Sequence, residues 1–76
     1  MNLYFSNSKK QERLIATPAT EKEALSEMKK FCEERNFEIH YYRSWAVGDR
    51  RRCYDVGSWS EFFYLEFPTE EEARDI

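Results

Sequence analysis

The sequence predicts a small α+β domain with the element order β-β-α-β-β-β, in which one helix packs on one face of a mainly antiparallel sheet. One segment has apolar residues at helical spacing, several short segments alternate between apolar and polar residues, and turn-forming residues separate them. A chain of 76 residues has room for one domain. We assign this domain to residues 1–68 and an acidic tail, frayed or forming one helical turn, to residues 69–76.

Two short strands are predicted before the helix, at residues 3–6 and 13–17. The polar run at residues 7–11 between them is typical of a hairpin loop. The two strands should therefore pair with each other.

The helix is predicted at residues 21–35. Thr20 and Glu23 form a capping-box pattern at its start, and Asn36 is expected to end it because Asn tolerates the left-handed conformation. The apolar stripe that would pack on the sheet comprises Ala24, Leu25, Met28, Phe31 and Cys32.

Three further strands are predicted after the helix, at residues 37–47, 51–56 and 60–67, with Gly48–Asp49 as a turn. The alternation in the first of these strands assigns to the helix-facing side Phe37, Ile39, Tyr41, Trp45 and Val47. In the last strand it assigns to that side Phe63, Leu65 and Phe67. The order of the strands in the sheet does not follow from the sequence.

A single helix covers only one face of a sheet, and the 13 aromatic residues exceed what a core on that face needs. We therefore predict that the other face binds a protein partner, or a second copy in a homodimer, because exposed aromatic clusters mark interaction surfaces. The predicted partner-binding residues are Tyr42, Tyr54, Trp59, Phe62 and Tyr64, and Tyr4 is a further candidate. The alternative is that loops or the acidic tail cover these rings.

The run Arg50, Arg51 and Arg52 is predicted to form a basic hairpin tip. Guanidinium groups suit phosphate or an acidic partner, and the nearby aromatic rings would add stacking for a nucleic acid or nucleotide. The alternative is a solvated turn. Residues 1–68 carry eleven basic and eleven acidic side chains, so the net charge of −3 comes from the tail, and a neutral body attracts nucleic acid weakly.

The sequence contains no pattern that indicates catalysis, so we expect no enzyme activity, no cofactor and no metal site. Two cysteines and one histidine do not form a zinc pattern. Cys32 is expected to be buried, whereas the arginines beside Cys53 would favour its thiolate, although no positioned base accompanies it. His40 is expected at the surface. Arg43, which interrupts an apolar strand face, is expected either to pair with Glu61 or Asp55 or to extend its charged end to the edge of the sheet.

No apolar run is long enough to span a bilayer, and the first residues lack the features of a signal peptide. We therefore expect a cytoplasmic protein without a membrane partner.

The stretch Asp55-Val56-Gly57-Ser58, followed by Glu61-Phe62-Phe63-Tyr64, resembles small uncharacterised proteins of phages and prophages of Gram-positive bacteria. The resemblance implies a cytoplasmic accessory protein of an infected or lysogenic host cell that binds a host or phage protein, including as an inhibitor of a host or defence system. A structural or self-associating phage protein is the alternative. The resemblance assigns no functional residues.

Overall fold

The computed structural model describes residues 1–69, which form five strands and one helix in the predicted order. The elements are β1 (Asn2–Ser6), β2 (Glu12–Ala16), α1 (Glu21–Glu34), β3 (Arg43–Val47), β4 (Arg51–Asp55) and β5 (Phe62–Glu66). The predicted α+β class is confirmed. The acidic tail was predicted at residues 69–76, of which residues 70–76 lie outside the described part of the chain.

The five strands form one sheet in the order β2-β1-β5-β4-β3, and each neighbouring pair is antiparallel. The first and last strands of the chain therefore lie side by side near the centre of the sheet, and β2 and β3 are its edges. Because α1 connects the two edge strands, the chain crosses one face of the sheet between them.

The capping box predicted at the start of α1 is present in a slightly different form. The Thr20 hydroxyl accepts a hydrogen bond from the Glu23 N–H at 3.1 Å. The Glu23 carboxylate in turn accepts the N–H of Ala19, one residue before the cap, at 2.8 Å. Both hydrogen bonds fix the backbone at the N-terminus of the helix, which is the role of a capping box.

Asn36 ends the helix as predicted, with a φ of 58°. The N–H of Phe37 donates to the carbonyl of Cys32 at 2.8 Å, and the N–H of Asn36 donates to that of Glu33 at 3.1 Å. This is the hydrogen-bond pattern of a Schellman motif.

The core lies between α1 and the central strands. The predicted helix stripe is confirmed, since Ala24, Met28 and Cys32 are buried and its other members pack against the core. From the sheet, the core receives the buried side chains of Leu3, Phe5, Tyr54, Val56, Phe63, Leu65 and Phe67. The ring of Phe31 packs against those of Phe5 and Phe63, with centroid distances of 4.7 and 5.8 Å.

The long strand predicted at residues 37–47 is wrong in its first half, because only Arg43–Val47 forms a strand. Residues 37–42 instead carry the chain from the end of α1 to the outer edge of the sheet. Phe37 and Ile39 pack against the core as expected, but Tyr41, Trp45 and Val47 are 44%, 41% and 37% exposed. Trp45 and Val47 lie outside the core because they point to the face of the sheet opposite the helix, as the register of Trp45 with Cys53 shows, and Tyr41 precedes the strand.

The ion pair predicted between Arg43 and Glu61 is not formed, because Glu61 pairs with Arg35 at 2.9 Å. Within residues 1–69 Arg43 forms no ion pair, including none with Asp55, and its guanidinium lies over the ring of Tyr41 at 5.8 Å. Arg43 is exposed and therefore needs no buried partner.

Asp55 has a structural role in the turn after β4. Its carboxylate accepts the N–H of Gly57 at 2.9 Å and the hydroxyl of Tyr41 at 3.4 Å. Gly57 has a φ of 101°, and a Cβ atom there would lie 3.0 Å from the ring of His40, which is exposed as predicted. Asp and Gly are therefore required locally by the backbone of this turn.

Candidate protein-binding surface

The face of the sheet turned away from α1, which we call the open face, carries a second set of aromatic side chains. In the central strands, alternation turns Phe5 and Phe63 toward the helix and Tyr4, Phe62 and Tyr64 toward the open face. The prediction that Phe62 and Tyr64 share the face opposite the helix is confirmed.

One row of open-face residues crosses all five strands in register. The paired positions are Leu14 on β2, Tyr4 on β1, Tyr64 on β5, Cys53 on β4 and Trp45 on β3. At the usual strand separation this row is about 19 Å long. Its end members, Leu14 and Trp45, are 50% and 41% exposed. The open face is thus an apolar band with exposed ends.

Cys53 lies in this row but is only 2% exposed, between the in-register neighbours Tyr64 and Trp45. Burial raises the pKa of its thiol to about 11; a hydrogen bond with Tyr64 lowers the pKa, and the charge of Asp55 raises it. The expectation that neighbouring arginines favour the thiolate is therefore wrong, because desolvation of the buried thiol dominates its pKa.

Arg51 lies across the open face and ties it together. Its guanidinium pairs with Glu12 on β2 at 2.9 Å and with Glu66 on β5 at 3.5 Å. Between these carboxylates it lies over the rings of Tyr4 and Tyr64, at 4.9 and 5.7 Å from their centroids. A side chain from β4 thus reaches over two strands to the opposite edge strand and holds both tyrosine rings in place.

Replacing Arg51 with methionine should lower the free energy of unfolding by about 1–2 kcal/mol, since it removes two ion-pair contacts and two cation–π contacts. Urea unfolding of the purified variant measures this. Arg43→Met is the matched control, because Arg43 is exposed and contacts a single ring, and it should change stability by less than about 0.5 kcal/mol. Equal losses in the two variants would contradict the bridging role.

The predicted basic tip does not form a cluster. Arg50 lies in the turn, where its Nε donates to the carbonyl of Phe67 at 3.0 Å. Arg51 and Arg52 lie in β4 and point to opposite faces of the sheet, and the Nε of Arg52 donates to the Ser44 hydroxyl at 3.0 Å. Each guanidinium already has a partner within the fold, so the structure does not bring the three together as an anion site.

Trp59 is fully exposed, in the loop that precedes β5. Its side chain lines a depression at one end of the open face, together with Ser6, Lys10, Glu12, Phe62 and Tyr64. The ring of Phe62 also contacts that of Trp45 edge-on, with 6.3 Å between centroids. Three of the five predicted partner-binding residues, Trp59, Phe62 and Tyr64, therefore lie together.

The other two predicted residues lie elsewhere. Tyr54 is 2% exposed and belongs to the helix-side core, where its hydroxyl donates to Glu21 of α1 at 2.9 Å. Burial, followed by the hydrogen bond and charge of Glu21, raises the pKa of Tyr54 strongly. Tyr42 is 47% exposed but lines a groove beside the helix with Lys29 and Glu33. Placing Tyr54 on the open face was wrong, and Tyr42 is remote from the cluster.

Comparison with protein-family models, curated proteins and solved structures finds no match to this chain. In the part of the chain that the structure describes, no helix is long and apolar enough to cross a membrane. Nor do residues 1–69 contain a group of three or more His, Cys, Asp or Glu side chains placed to hold a metal ion.

Proposed function

We propose that this chain is a non-enzymatic binding protein that engages a protein partner through its open face. Following the sequence resemblance, we propose a phage-type accessory protein in the cytoplasm of a host cell, with a host or phage protein as its partner, including a component of host defence. The observation that carries the proposal is the fully exposed ring of Trp59 beside the partly exposed rings of Phe62 and Tyr64.

The chemistry of the surface favours a protein partner. Tryptophan and tyrosine are enriched among the residues that contribute most to binding at protein interfaces, and such residues cluster. The rings of Tyr4 and Tyr64 are held by Arg51, so they lose little freedom on binding. A partner that covers Trp59 and Phe62 would also remove apolar surface from water.

Binding rather than catalysis is supported by the state of Cys53, the thiol of the open face. With a pKa of about 11 it stays protonated at neutral pH, and the thiol form is a poor nucleophile. Cys53 is also buried beneath its neighbours and therefore out of reach of a substrate.

Replacing Trp59 with alanine should weaken partner binding by about 30-fold or more, the effect of losing one dominant interface residue. Stability should change by less than about 0.5 kcal/mol, because the ring is fully exposed. The tagged wild-type protein is used to capture partners from Gram-positive host extract. The purified partner is then titrated against both proteins by calorimetry.

Tyr42→Ala is the matched control, since Tyr42 is an exposed aromatic residue away from the open face, and it should bind like the wild type. Loss of binding in the Tyr42 variant, or its retention in the Trp59 variant, would contradict the proposed surface. Titration with oligonucleotides at two salt concentrations tests the nucleic-acid alternative, which requires salt-sensitive binding.

A further inference from the structure

The edge strand β3 is exposed along its whole length. All five of its residues are exposed, and it pairs with β4 in a regular register from Arg43↔Asp55 to Val47↔Arg51. No other described strand pairs with its outer edge. It contains no proline and no bulge, two of the devices by which proteins protect free edges, and Arg43 at its first position is its only charged residue.

The opposite edge of the sheet is protected. The pairing of β2 with β1 has a register irregularity between Leu3 and Tyr4, which disturbs a straight ladder. Side chains of β2 are also engaged, since Glu12 pairs with Arg51 of β4 and Arg13 lies over the ring of Phe31 in α1. The contrast singles out β3 as the edge open to another strand.

We propose that β3 pairs antiparallel with β3 of a second copy of this chain, about a two-fold axis at Ala46. The two sheets of five strands would then form one continuous sheet. This inference goes beyond the proposed function and does not rest on it, because it uses the backbone edge of β3 and not the cluster of Trp59, Phe62 and Tyr64.

The charges of the edge select this register. With Ala46 opposite Ala46, Arg43 of each copy lies opposite the turn that carries Asp49 of the other, and Trp45 lies opposite Val47. The register centred on Trp45 instead places Arg43 opposite Val47, and the one centred on Ser44 places it opposite Trp45. Among these registers, only the one centred on Ala46 places Arg43 of each copy near Asp49 of the other. The two-fold axis repeats this attractive pair, so the edge is complementary to itself.

Sedimentation equilibrium of the full chain over a concentration series measures the association. We expect the wild type to dimerise reversibly, and Arg43→Glu or Asp49→Arg alone to raise the dissociation constant about tenfold, because each places like charges together at two symmetric sites. The double variant Arg43→Glu/Asp49→Arg should restore the wild-type constant. Lys22→Glu, the same charge change at an exposed helix position, should have no effect.

Amide hydrogen exchange of the wild type gives a test that needs no variant. Outward-pointing amides of residues 43–47 should exchange more slowly as concentration rises, while those of β2 should not change. A monomer at all concentrations overturns the proposal. The proposal is also overturned if the single charge reversals leave the dimer intact or if the double variant does not restore it. Loss of the dimer in Trp59→Ala would overturn it as well, because Trp59 is fully exposed on a loop outside β3.

Discussion

Replacing Phe63 with alanine is expected to lower the free energy of unfolding by about 3–5 kcal/mol. Its side chain is 1% exposed and packs against the rings of both Phe5 and Phe31, with centroid distances of 5.5 and 5.8 Å. A domain of this length has a total stability of about 4–11 kcal/mol, so this single substitution should remove a large fraction of it. Circular dichroism and urea unfolding measure the loss.

The adjacent residue provides a matched control, because Phe62 has the same side chain on the opposite face of the same strand. It is partly exposed and contacts Trp45 at 6.3 Å, so Phe62→Ala should lower stability by only about 1 kcal/mol. If the two variants lose equal stability, the open face is a second core and the proposed binding surface is wrong. A folded Phe62 variant with weakened partner binding would support it.

The helix and the last strand could be predicted from sequence because their signals are local. A capping residue, a stripe at helical spacing and a left-handed Asn36 together define α1, and a neighbouring residue pair such as Phe62 and Phe63 is split between faces by alternation alone. Neither needs knowledge of what lies across the sheet.

The residues of β3 and β4 were predicted on the wrong faces of the sheet, and one error accounts for both strands. The odd-numbered residues of β3 were placed toward the helix, whereas they point away from it. The turn pairs Val47 with Arg51, so odd-numbered residues of both strands share one face. Once Trp45 is placed toward the helix, Tyr54 must point away from it, and both placements are wrong together. Arg43 could have revealed the error. A charged side chain conflicts with an apolar inner face, and the conflict disappears when all the odd-numbered residues of β3 point away from the helix.

The contacts of Arg51 were beyond sequence reasoning for a different reason. Its partner Glu12 is distant in the chain and lies three strands away in the sheet. Only the strand order brings them together, and that order follows from the packing of the whole domain. Single-sequence patterns therefore identified the candidate rings Trp59, Phe62 and Tyr64 but not the arginine that organises the surface.

The fold should lose stability at alkaline pH, and the two buried thiols, Cys53 and Cys32, should account for the first part of the loss. The fold raises the pKa of the Cys53 thiol from 9.0 to about 11. Between these values the unfolded chain releases the proton and the folded chain keeps it, so stability falls as the pH rises. A difference of two pKa units corresponds to about 3 kcal/mol, lost fully above pH 11. Tyr54, whose pKa is also raised by burial, adds to the loss above pH 10.

Urea unfolding from neutral pH to pH 10, with a reductant present, measures this slope. Cys53→Ser removes one titrating group while keeping a small side chain that can hydrogen-bond to Tyr64, so its stability should fall less steeply between pH 9 and 10 than that of the wild type. Part of the slope should remain, because burial also raises the pKa of Cys32. The quantity to compare is the slope of the free energy of unfolding against pH, because the substitution itself changes stability at neutral pH. Parallel slopes in the two proteins would mean that the Cys53 thiol is not desolvated on the open face, and its role in the apolar band would have to be abandoned.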